Sequence, residues 1–254
     1  MITFVQKMST KPICSNYKML INCLLWYTEL GDKMKTIVFD FDGTLTQKSH
    51  EIWTKMWERI DALDVDYEIY CKYRDKEIDY VKWCELIEIE YKKRGFSKDM
   101  LFEVADGMIL MEHLEETLYT LKDNGYALYI ISGGVEEVVK SKLGDLTKYF
   151  DGIYACGFKF DDNGLLTHIV PTRYDDEGKK LFIDEYCANT KTNPREITFI
   201  GNGDNDEYVY LSGCHTICLN PGKKTRFEDS TIWHNVIDNT KDMRDILKYL
   251  EIRK

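Results

Sequence analysis

Two short stretches of this sequence place carboxylate and amide side chains directly after apolar, strand-like residues. They are "IVFDFDGTLT", residues 37–46, and "ITFIGNGDND", residues 197–206. Val, Ile, Thr and Phe favour β-strands, and glycine allows a tight turn with close backbone approach. In an open parallel α/β sheet, ligands bind just beyond the carboxyl ends of the strands. We therefore expect these oxygen-bearing side chains to lie at a binding site.

Asp40 and Asp42 in the first stretch could do chemistry as a pair. In a strand, alternate residues share a face, so the two carboxylates would project together before Gly43 turns the chain. They would repel each other unless a cation lay between them, and Mg²⁺ prefers oxygen ligands and recruits phosphate. One carboxylate could then attack phosphorus while the other exchanges protons with the leaving oxygen and with water. The alternative is a polar strand end that does no chemistry.

A third stretch, "YIISGGVEEVV", places Ser132 after another apolar run. Gly133 and Gly134 are predicted to introduce a helix, so the hydroxyl and free backbone N–H groups could bind an anion at the helix start. Ordinary N-capping by Ser132 explains the same pattern equally well.

A fourth stretch, "DDEGKKLFIDEYC", contains Lys179 and Lys180 at the start of a predicted helix. Phe182, Ile183 and Tyr186 would face inward from this helix. A lysine held near the site would offset charge that builds on a transferring phosphoryl group. A solvated lysine pair is the alternative.

The elements that must position these residues alternate between strands and helices. The segments "TIVFDF", "YALYIIS" and "ITFI" predict strands, and "MEHLEETLYTLKDNG" places Met111, Leu114, Leu118 and Leu121 on one helical face before a glycine stop. This βαβ pattern predicts an α/β fold with a mainly parallel sheet. The run "FKFDDNGLLTHIV" predicts a β-hairpin that turns at residues 162–164.

The alternation is interrupted once and does not include the N-terminus. Residues 48–110 are dense in Glu, Lys, Trp and Tyr at helical spacing, so we expect an inserted helical domain between core segments 34–47 and 111–254. Residues 1–33 are predicted to be a non-essential extension, although a helix docked on the core is an alternative. Their apolar stretch, residues 19–27, is about half the length of a membrane-spanning helix.

The composition excludes several classes of protein. A formal net charge of −10 argues against binding to nucleic acid, whose phosphates are bound by clustered Lys and Arg. Neither a membrane partner nor a signal peptide is expected. The eight cysteines contain no CxxC pair, and Cys214 and Cys218 fall in a strand-like segment. We therefore expect reduced thiols and a cytoplasmic protein; the oligomeric state is left open.

Together, "DFDGTLT", "ISGG", the helix-opening lysine and "GNGDND" resemble the four motifs of the haloacid dehalogenase superfamily, in their order and approximate spacing. They look most like the phosphoserine-phosphatase-type branch, and the resemblance extends from Met34 to the C-terminus. It implies a Rossmann-like core with an all-helical cap. It also implies Mg²⁺-dependent hydrolysis of a small phosphorylated metabolite through an aspartyl-phosphate intermediate.

The resemblance also assigns roles to residues. Asp40 matches the nucleophile and Asp42 the acid/base, while Ser132, Gly133 and Thr44 match phosphate binders. An acid two residues after the nucleophile points to a phosphatase, because dehalogenases and P-type ATPases of this superfamily lack it.

The lysine and the metal ligands follow from the same resemblance. Lys179, which lies 23 residues before Asn202, matches the family spacing better than Lys180. The implied Mg²⁺ site consists of the carboxylate of Asp40, the backbone carbonyl of Asp42 and the amide of Asn202, with Asp206 holding a metal-bound water.

The sequence departs from the family pattern at two places. Asn202 replaces the first aspartate of the fourth motif and Asp204 is an extra acid, so either side chain could be the direct metal ligand. Glu85 lies near the position of an arginine that grips phosphoserine. Phosphoserine phosphatase proper, a phosphotransferase with the same intermediate and a silent phosphate-binding regulatory protein therefore remain alternatives.

Aromatic residues are frequent in the inserted segment. Trp53, Trp57, Tyr80 and Trp83 lie near Glu51 and Glu85 in the sequence. At helical spacing they predict a helical core, and a site for a cationic leaving group is the alternative hypothesis.

Overall fold

In the described part of the chain, seven strands form one sheet. The structure is a computed structural model that describes residues 35–48, 51–221 and 232–253. In chain order the strands are Thr36–Phe39 (β1), Ala127–Val135 (β2), Gly152–Phe160 (β3), Leu166–Val170 (β4), Ile197–Gly201 (β5), His215–Leu219 (β6) and Asn235–Ile237 (β7). Their spatial order is β4-β3-β2-β1-β5-β6-β7. Strands β3 and β4 pair antiparallel and all other neighbours pair parallel, which confirms the predicted fold class.

Strand β1 lies at the centre of the sheet, between β2 and β5, and all of its residues are completely buried. A strand covered on both faces is expected to be a largely apolar run, and Ile37, Val38 and Phe39 of β1 form one. Phe39 is paired with Ile200, and the amide of Asp40 donates a hydrogen bond to the Ile200 carbonyl oxygen at 2.9 Å. This register brings the two polar stretches that follow β1 and β5 to the same edge of the sheet.

The predicted strand at the first motif is shorter in the structure. Strand β1 ends at Phe39, and residues 42–45 form a turn in which Gly43 has a φ of 88°. Asp40 and Asp42 therefore follow the strand, and strand alternation does not place them on one face. That part of the prediction is wrong, because backbone hydrogen bonds to the carbonyl oxygen of Phe41 close the turn immediately after the strand.

Helices surround this sheet. The α-helices are Glu51–Arg59 (α1), Leu63–Arg74 (α2), Tyr80–Lys93 (α3), Lys98–Gly107 (α4), Leu114–Asp123 (α5), Glu136–Leu143 (α6) and Glu177–Thr190 (α7). Four 3₁₀ helices are also described, at Gly144–Tyr149, Pro194–Glu196, Asp204–Ser212 and Met243–Tyr249.

The segment between β1 and α5 contains helices α1 to α4. Local signals explain two of their starts, because the side chains of Asp79 and Ser97 accept hydrogen bonds from the amides of Lys82 at 2.8 Å and Met100 at 3.3 Å. Helix α3 packs against β4, so this helical segment contacts the hairpin of the core. The limits of a separate helical domain, residues 48–110, stay a prediction.

Strand β2 is longer than predicted and corrects the reading of the third motif. It continues through Ser132, Gly133 and Gly134 to Val135, and α6 begins only at Glu136. The pairing of β2 with β3 shifts register between Ile131 and Val135, so the glycines form an irregular strand end instead of a helix start. Ser132 is therefore not an N-cap, and the predicted helix start at Gly133 and Gly134 is wrong; that Ser132 and Gly133 bind an anion stays a prediction.

Two other predicted elements occur with small changes. Residues 158–170 form an antiparallel hairpin from the end of β3 and β4, as predicted. Helix α5 buries Leu114, Leu118 and Leu121, but Met111 is buried before the helix begins. The prediction for residues 1–33 lies outside the described residues. No helix in the described ranges is long and apolar enough to cross a membrane.

Candidate active site

A buried lysine joins the two polar stretches. The Lys179 ammonium lies 2.8 Å from Oδ1 of Asp40 and 2.6 Å from Oδ1 of Asp206, and all three side chains are buried. Lys180, the neighbouring candidate, is half-exposed and pairs with Asp184 on the surface. The inward face of α7 explains the difference, because Phe182 and Ile183 bury that face in the core.

The electrostatics of this cluster leave one negative charge without a counter-charge. Burial raises the pKa of Asp40 to about 7; the ammonium of Lys179 acts against this shift, and the charge of Asp206 adds to it. Burial alone would lower the pKa of Lys179, but the charges of Asp206 and Asp40 raise it above its usual range. The lysine therefore stays protonated between two carboxylates, and the site can accept a further cation.

Asp206 organises the turn after β5. Its Oδ2 accepts hydrogen bonds from the amides of Asn202 at 2.8 Å and Gly203 at 2.9 Å. The carboxylate also packs on Gly201, where a Cβ atom would lie 2.5 Å from Oδ2. Only glycine permits this approach, which explains the first glycine of "GNGDND".

Thr44 connects the two strand ends. Its buried hydroxyl lies 3.3 Å from Oδ2 of Asp40 and 3.5 Å from Oδ1 of Asn202. Both of these oxygens therefore face one small region beside Asp40. The side chain of Asp204 lies outside the described part of the structure, so its competition with Asn202 as a metal ligand stays a prediction.

The donor set of this region fits Mg²⁺. The residues offer carboxylate, amide and hydroxyl oxygens, the ligand type that Mg²⁺ prefers, and Mg²⁺ sites commonly use only one or two carboxylates. Oδ2 of Asp40 and Oδ1 of Asn202 both lie within 3.5 Å of the Thr44 hydroxyl oxygen, whereas both oxygens of Asp206 already bind Lys179 or backbone amides. Among the described residues, no group of three or more His, Cys, Asp or Glu side chains is arranged for a metal. Asn202 helps to explain that finding, because this residue has an amide where the family pattern has an aspartate.

The remaining predicted residues surround this cluster. Oδ2 of Asp42 accepts a hydrogen bond from the Ile52 amide at 3.3 Å, so Asp42 contacts the first turn of α1. Ser132 is buried, and its Oγ accepts a hydrogen bond from the Gly134 amide at 3.0 Å. The carbonyl oxygen of Gly133 accepts a hydrogen bond from Nε1 of Trp53 at 2.9 Å, which joins α1 to the end of β2.

The sequence interpretation missed Asp175 and Asn205. The Asp175 carboxylate packs against Gly133, where a Cβ atom would lie 2.6 Å from its oxygens, and its Oδ1 accepts a hydrogen bond from Nδ2 of Asn205 at 3.1 Å. The acidic pair at residues 175–176 was a possible signal, but a solvated turn before a helix has the same composition. Only the fold brings this turn to the "ISGG" segment.

The aromatic residues of the inserted segment pack mainly on one another. Trp57 is completely buried and Trp83 is 7% exposed. The ring of Trp83 lies 4.8 Å from that of Trp53, edge to face, and stacks on that of Tyr80 at 5.6 Å. These contacts fit the predicted helical core. Glu85 is more than half exposed and pairs with Lys82; the side chain of Glu51 lies outside the described part of the structure.

Comparisons with known proteins agree with the family that the four motifs resemble. The family model described as haloacid dehalogenase-like hydrolase matches residues 34–207. A phosphoserine phosphatase of Archaeoglobus fulgidus is 25% identical over 188 residues, which cover 72% of this chain and 52% of that protein. This chain therefore spans about half the length of that relative. A phosphoserine phosphatase of Methanocaldococcus jannaschii is 24% identical over 229 residues, which cover 86% of this chain and 99% of that protein.

Solved structures share the fold. A phosphoserine phosphatase in apo form has a TM-score of 0.67 at 19% identity, over 86% of this chain and 100% of that chain. A phospho-aspartyl intermediate analogue of phosphoserine phosphatase has a TM-score of 0.65 at 19% identity, with the same coverage of 86% and 100%.

Proposed function

Because the chain belongs to the haloacid dehalogenase-like hydrolase family, we propose that it is a Mg²⁺-dependent phosphatase that hydrolyses a small phosphorylated metabolite through a phosphoaspartate at Asp40. The observation that carries this proposal is the ion-pair cluster at the ends of β1 and β5, in which Lys179 bridges Asp40 and Asp206. Both archaeal relatives are named phosphoserine phosphatases, which supports phosphate-ester hydrolysis.

The two oxygens of the Asp40 carboxylate have different neighbours. Lys179 holds Oδ1 at 2.8 Å, and the Thr44 hydroxyl lies 3.3 Å from Oδ2. One of these oxygens would attack phosphorus, and the other would stay with Mg²⁺. The P–O bond to the leaving group breaks as the new P–O bond forms, and the Asp42 carboxyl donates a proton to the leaving oxygen. Asp42 then takes a proton from the water that hydrolyses the phosphoaspartate.

Other residues of the site bind the phosphate and neutralise its charge. Ser132, through its hydroxyl, and Gly133, through its amide, would bind phosphate oxygens, and Lys179 would offset charge that develops during transfer. The carboxylate of Asp40, the backbone carbonyl of Asp42 and the amide of Asn202 would hold Mg²⁺, with Asp206 ordering the turn. When bound, Mg²⁺ supplies positive charge at a phosphate oxygen.

The substitution Asp40→Asn tests the proposal. Turnover of p-nitrophenyl phosphate should fall by about 10³-fold or more, and acid quenching should no longer trap a phosphoenzyme. Asp184→Asn, which changes an exposed partner of Lys180, is the matched control and should keep normal turnover. Near-normal turnover in Asp40→Asn would remove the nucleophile assignment.

Wild-type assays separate the alternative functions. A silent phosphate-binding protein would release no phosphate from p-nitrophenyl phosphate, and a phosphotransferase would pass phosphate to an added alcohol in preference to water. For phosphoserine phosphatase proper, O-phosphoserine should be the best substrate in a panel of phosphorylated metabolites. A cytoplasmic location stays a prediction from the sequence.

The metal assignment has its own test. Asn202→Asp should lower the half-saturating Mg²⁺ concentration by about 10-fold, because it adds a negative charge at the metal. Calorimetric titration with Mg²⁺ alone should show the same shift, and Asn193→Asp, at the exposed cap of a 3₁₀ helix, should not. No shift in Asn202→Asp, together with a large loss in Asp204→Asn, would assign the ligand to Asp204.

A further inference from the structure

The turn before α7 places a carboxylate beside the phosphate-binding segment. The backbone of this turn is closed by a hydrogen bond from the Gly178 amide to the Asp175 carbonyl oxygen at 2.8 Å. The side chain of Asp175 packs against Gly133, where an added Cβ would lie 2.6 Å from Cγ and both carboxylate oxygens. A glycine at position 133 therefore lets this carboxylate approach the residues proposed to bind phosphate.

The carboxylate of Asp175 has a hydrogen bond but no ion pair among the described residues. Its bond from Asn205 is neutral, and the ammonium of Lys179 is already held between Asp40 and Asp206. Arg173 lies two residues earlier in the chain, but it pairs with Glu185 at 2.9 Å. Asp175 is close enough to Lys179 for its charge to help raise the pKa of that ammonium, but it has no ion pair of its own among the described residues. A half-buried negative charge thus lies beside a site for a phosphate dianion.

The charge of Asp175 also faces the helical segment. Burial raises the pKa of Tyr80, at the start of α3, and the charges of Cys156 and Asp175 raise it further. Tyr80 itself contacts β3, because its hydroxyl lies 2.8 Å from Sγ of Cys156. Gly133, against which Asp175 packs, also accepts a hydrogen bond from Nε1 of Trp53 in α1 at 2.9 Å, so Asp175 lies where the core meets the helical segment. A leaving group would extend into this region from a phosphate bound at Ser132 and Gly133.

A carboxylate at this place selects among leaving groups. A substrate with a carboxylate on its leaving group would be repelled, because no arginine among the described residues pairs with Asp175 to offset the charge. A substrate with an ammonium group would supply the missing cation. On the basis of the proposed function, we propose that Asp175 is a specificity-determining residue, and that the substrate is a phosphomonoester with a positively charged, amine-bearing leaving group.

Substrate pairs of opposite charge test this proposal. For the wild-type protein with Mg²⁺, kcat/KM should be about 10- to 100-fold higher for phosphoethanolamine than for phosphoglycolate, the effect of one charged hydrogen bond. p-Nitrophenyl phosphate, with an uncharged leaving group, is the reference for basal activity. Equal values for the two charged substrates would overturn the proposal while leaving the phosphatase activity in place.

Asp175→Asn isolates the charge, because the amide keeps the shape and the oxygen that accepts from Asn205. We expect the ratio of kcat/KM for phosphoethanolamine over phosphoglycolate to fall by about 10- to 100-fold, mainly through a higher KM for phosphoethanolamine. Glu177→Gln removes an exposed charge from the same turn and should keep the ratio. If Asp175→Asn lowers the values for both substrates equally, Asp175 only positions the site and the proposal is wrong.

Two further outcomes have a defined meaning. If the wild-type protein with Mg²⁺ hydrolyses none of the substrates, p-nitrophenyl phosphate included, the proposed function fails and this proposal fails with it. If Asp175→Asn does not fold, inhibition of wild-type p-nitrophenyl phosphate hydrolysis decides. 2-Aminoethylphosphonate should then inhibit about 10-fold more strongly than phosphonoacetate, and equal inhibition would overturn the proposal.

Discussion

The cluster of Asp40, Lys179 and Asp206 and the helical segment both bury polar atoms, but they satisfy them differently. At the site, Asp40, Lys179 and Asp206 satisfy one another and the adjacent backbone amides. In the helical segment, Nε1 of Trp57, Nε1 of Trp83 and the Tyr91 hydroxyl are buried and have no hydrogen-bond partner among the described residues. Removing one member of a satisfied network lowers the free energy of unfolding strongly, because its partners are left unpaired. Removing a group that has no partner lowers it little.

The two regions are therefore suited to different roles. The site holds its charges in fixed positions, which suits a reaction that needs positioning and a preorganised field. The helical segment is held mainly by aromatic packing, as between the rings of Tyr91 and Phe96, whose centroids are 4.6 Å apart. Substitutions should therefore have large effects at the site and small effects in the helical segment.

The largest expected effect is at Lys179. Lys179→Met removes the cation between two buried carboxylates, so the free energy of unfolding should fall by about 3–5 kcal/mol and turnover should be lost. Urea unfolding and p-nitrophenyl phosphate assays measure these two effects. Lys180→Met, at a half-exposed surface pair, should change stability by less than about 0.5 kcal/mol. A similar small change in both variants would contradict the network.

A backbone contact supports the position of Lys179. A Cβ atom on Gly178 would lie 2.1 Å from the carbonyl oxygen of Arg173, a distance that only a shift of the backbone can relieve. We expect Gly178→Ala to destabilise the protein by about 2–3 kcal/mol and to lower turnover by displacing Lys179. Gly107→Ala, at the end of α4 where a Cβ meets nothing within 4 Å, is the control. Equal stability of the two variants would show that the turn can adapt.

A smaller effect is expected where the two regions meet. Trp53 donates a hydrogen bond from Nε1 to the Gly133 carbonyl oxygen at 2.9 Å, whereas Nε1 of Trp83 has no partner among the described residues. Trp53→Phe and Trp83→Phe both shorten an aromatic side chain, so the difference between them isolates the hydrogen bond. We expect Trp53→Phe to be more destabilising by about 1 kcal/mol and to raise KM. A larger loss in Trp83→Phe would reverse this ranking.

The sequence predicts the site better than the helical segment for a physical reason. Asp40 and Asn202 follow short apolar runs whose strands are neighbours, so their meeting depends only on the pairing of β1 with β5. The contact between Asp175 and Gly133 depends on the path of the six-residue connection between β4 and α7 and on a register shift in β2, which residue types do not encode locally. The end of β2 was misassigned for the same reason, because two glycines are compatible with either a helix start or an irregular strand end.

The aromatic residues of the helical segment show the same limit. Helical spacing predicts that Trp57 is buried, and it is. The same spacing cannot show that Nε1 of Trp53 turns to the Gly133 carbonyl while the polar atoms of Trp57 and Trp83 find no partner among the described residues. Those outcomes depend on how the helices pack, which is set by the whole interior.

The smallest change in stability is expected at Tyr91, where a substitution should not destabilise the protein. Its ring is completely buried, stacked on Phe96 and edge to face with Trp57, while its hydroxyl has no hydrogen-bond partner in the described structure. Tyr91→Phe removes only that hydroxyl, so stability should stay the same or rise by up to about 1 kcal/mol at pH 7. Tyr126 is the control, because its hydroxyl donates a hydrogen bond to the Glu251 carbonyl oxygen and accepts one from the Glu251 amide. Tyr126→Phe should lower the free energy of unfolding by about 1 kcal/mol.

The pH dependence of stability tests the Tyr91 prediction independently. Burial raises the pKa of Tyr91 well above the ordinary value of 10.0, and the charge of Asp66 adds to the shift. The unfolded chain therefore loses this proton near pH 10 while the folded protein keeps it, so the stability from the neutral phenol is full below pH 10 and declines above it. Tyr91→Phe has no such proton, and its advantage over the wild-type protein in urea unfolding should grow by about 1 kcal/mol between pH 10 and pH 11. An advantage that stays constant through this range would mean that the phenol ionises equally in both states, and a loss at pH 7 would mean that the hydroxyl is satisfied after all.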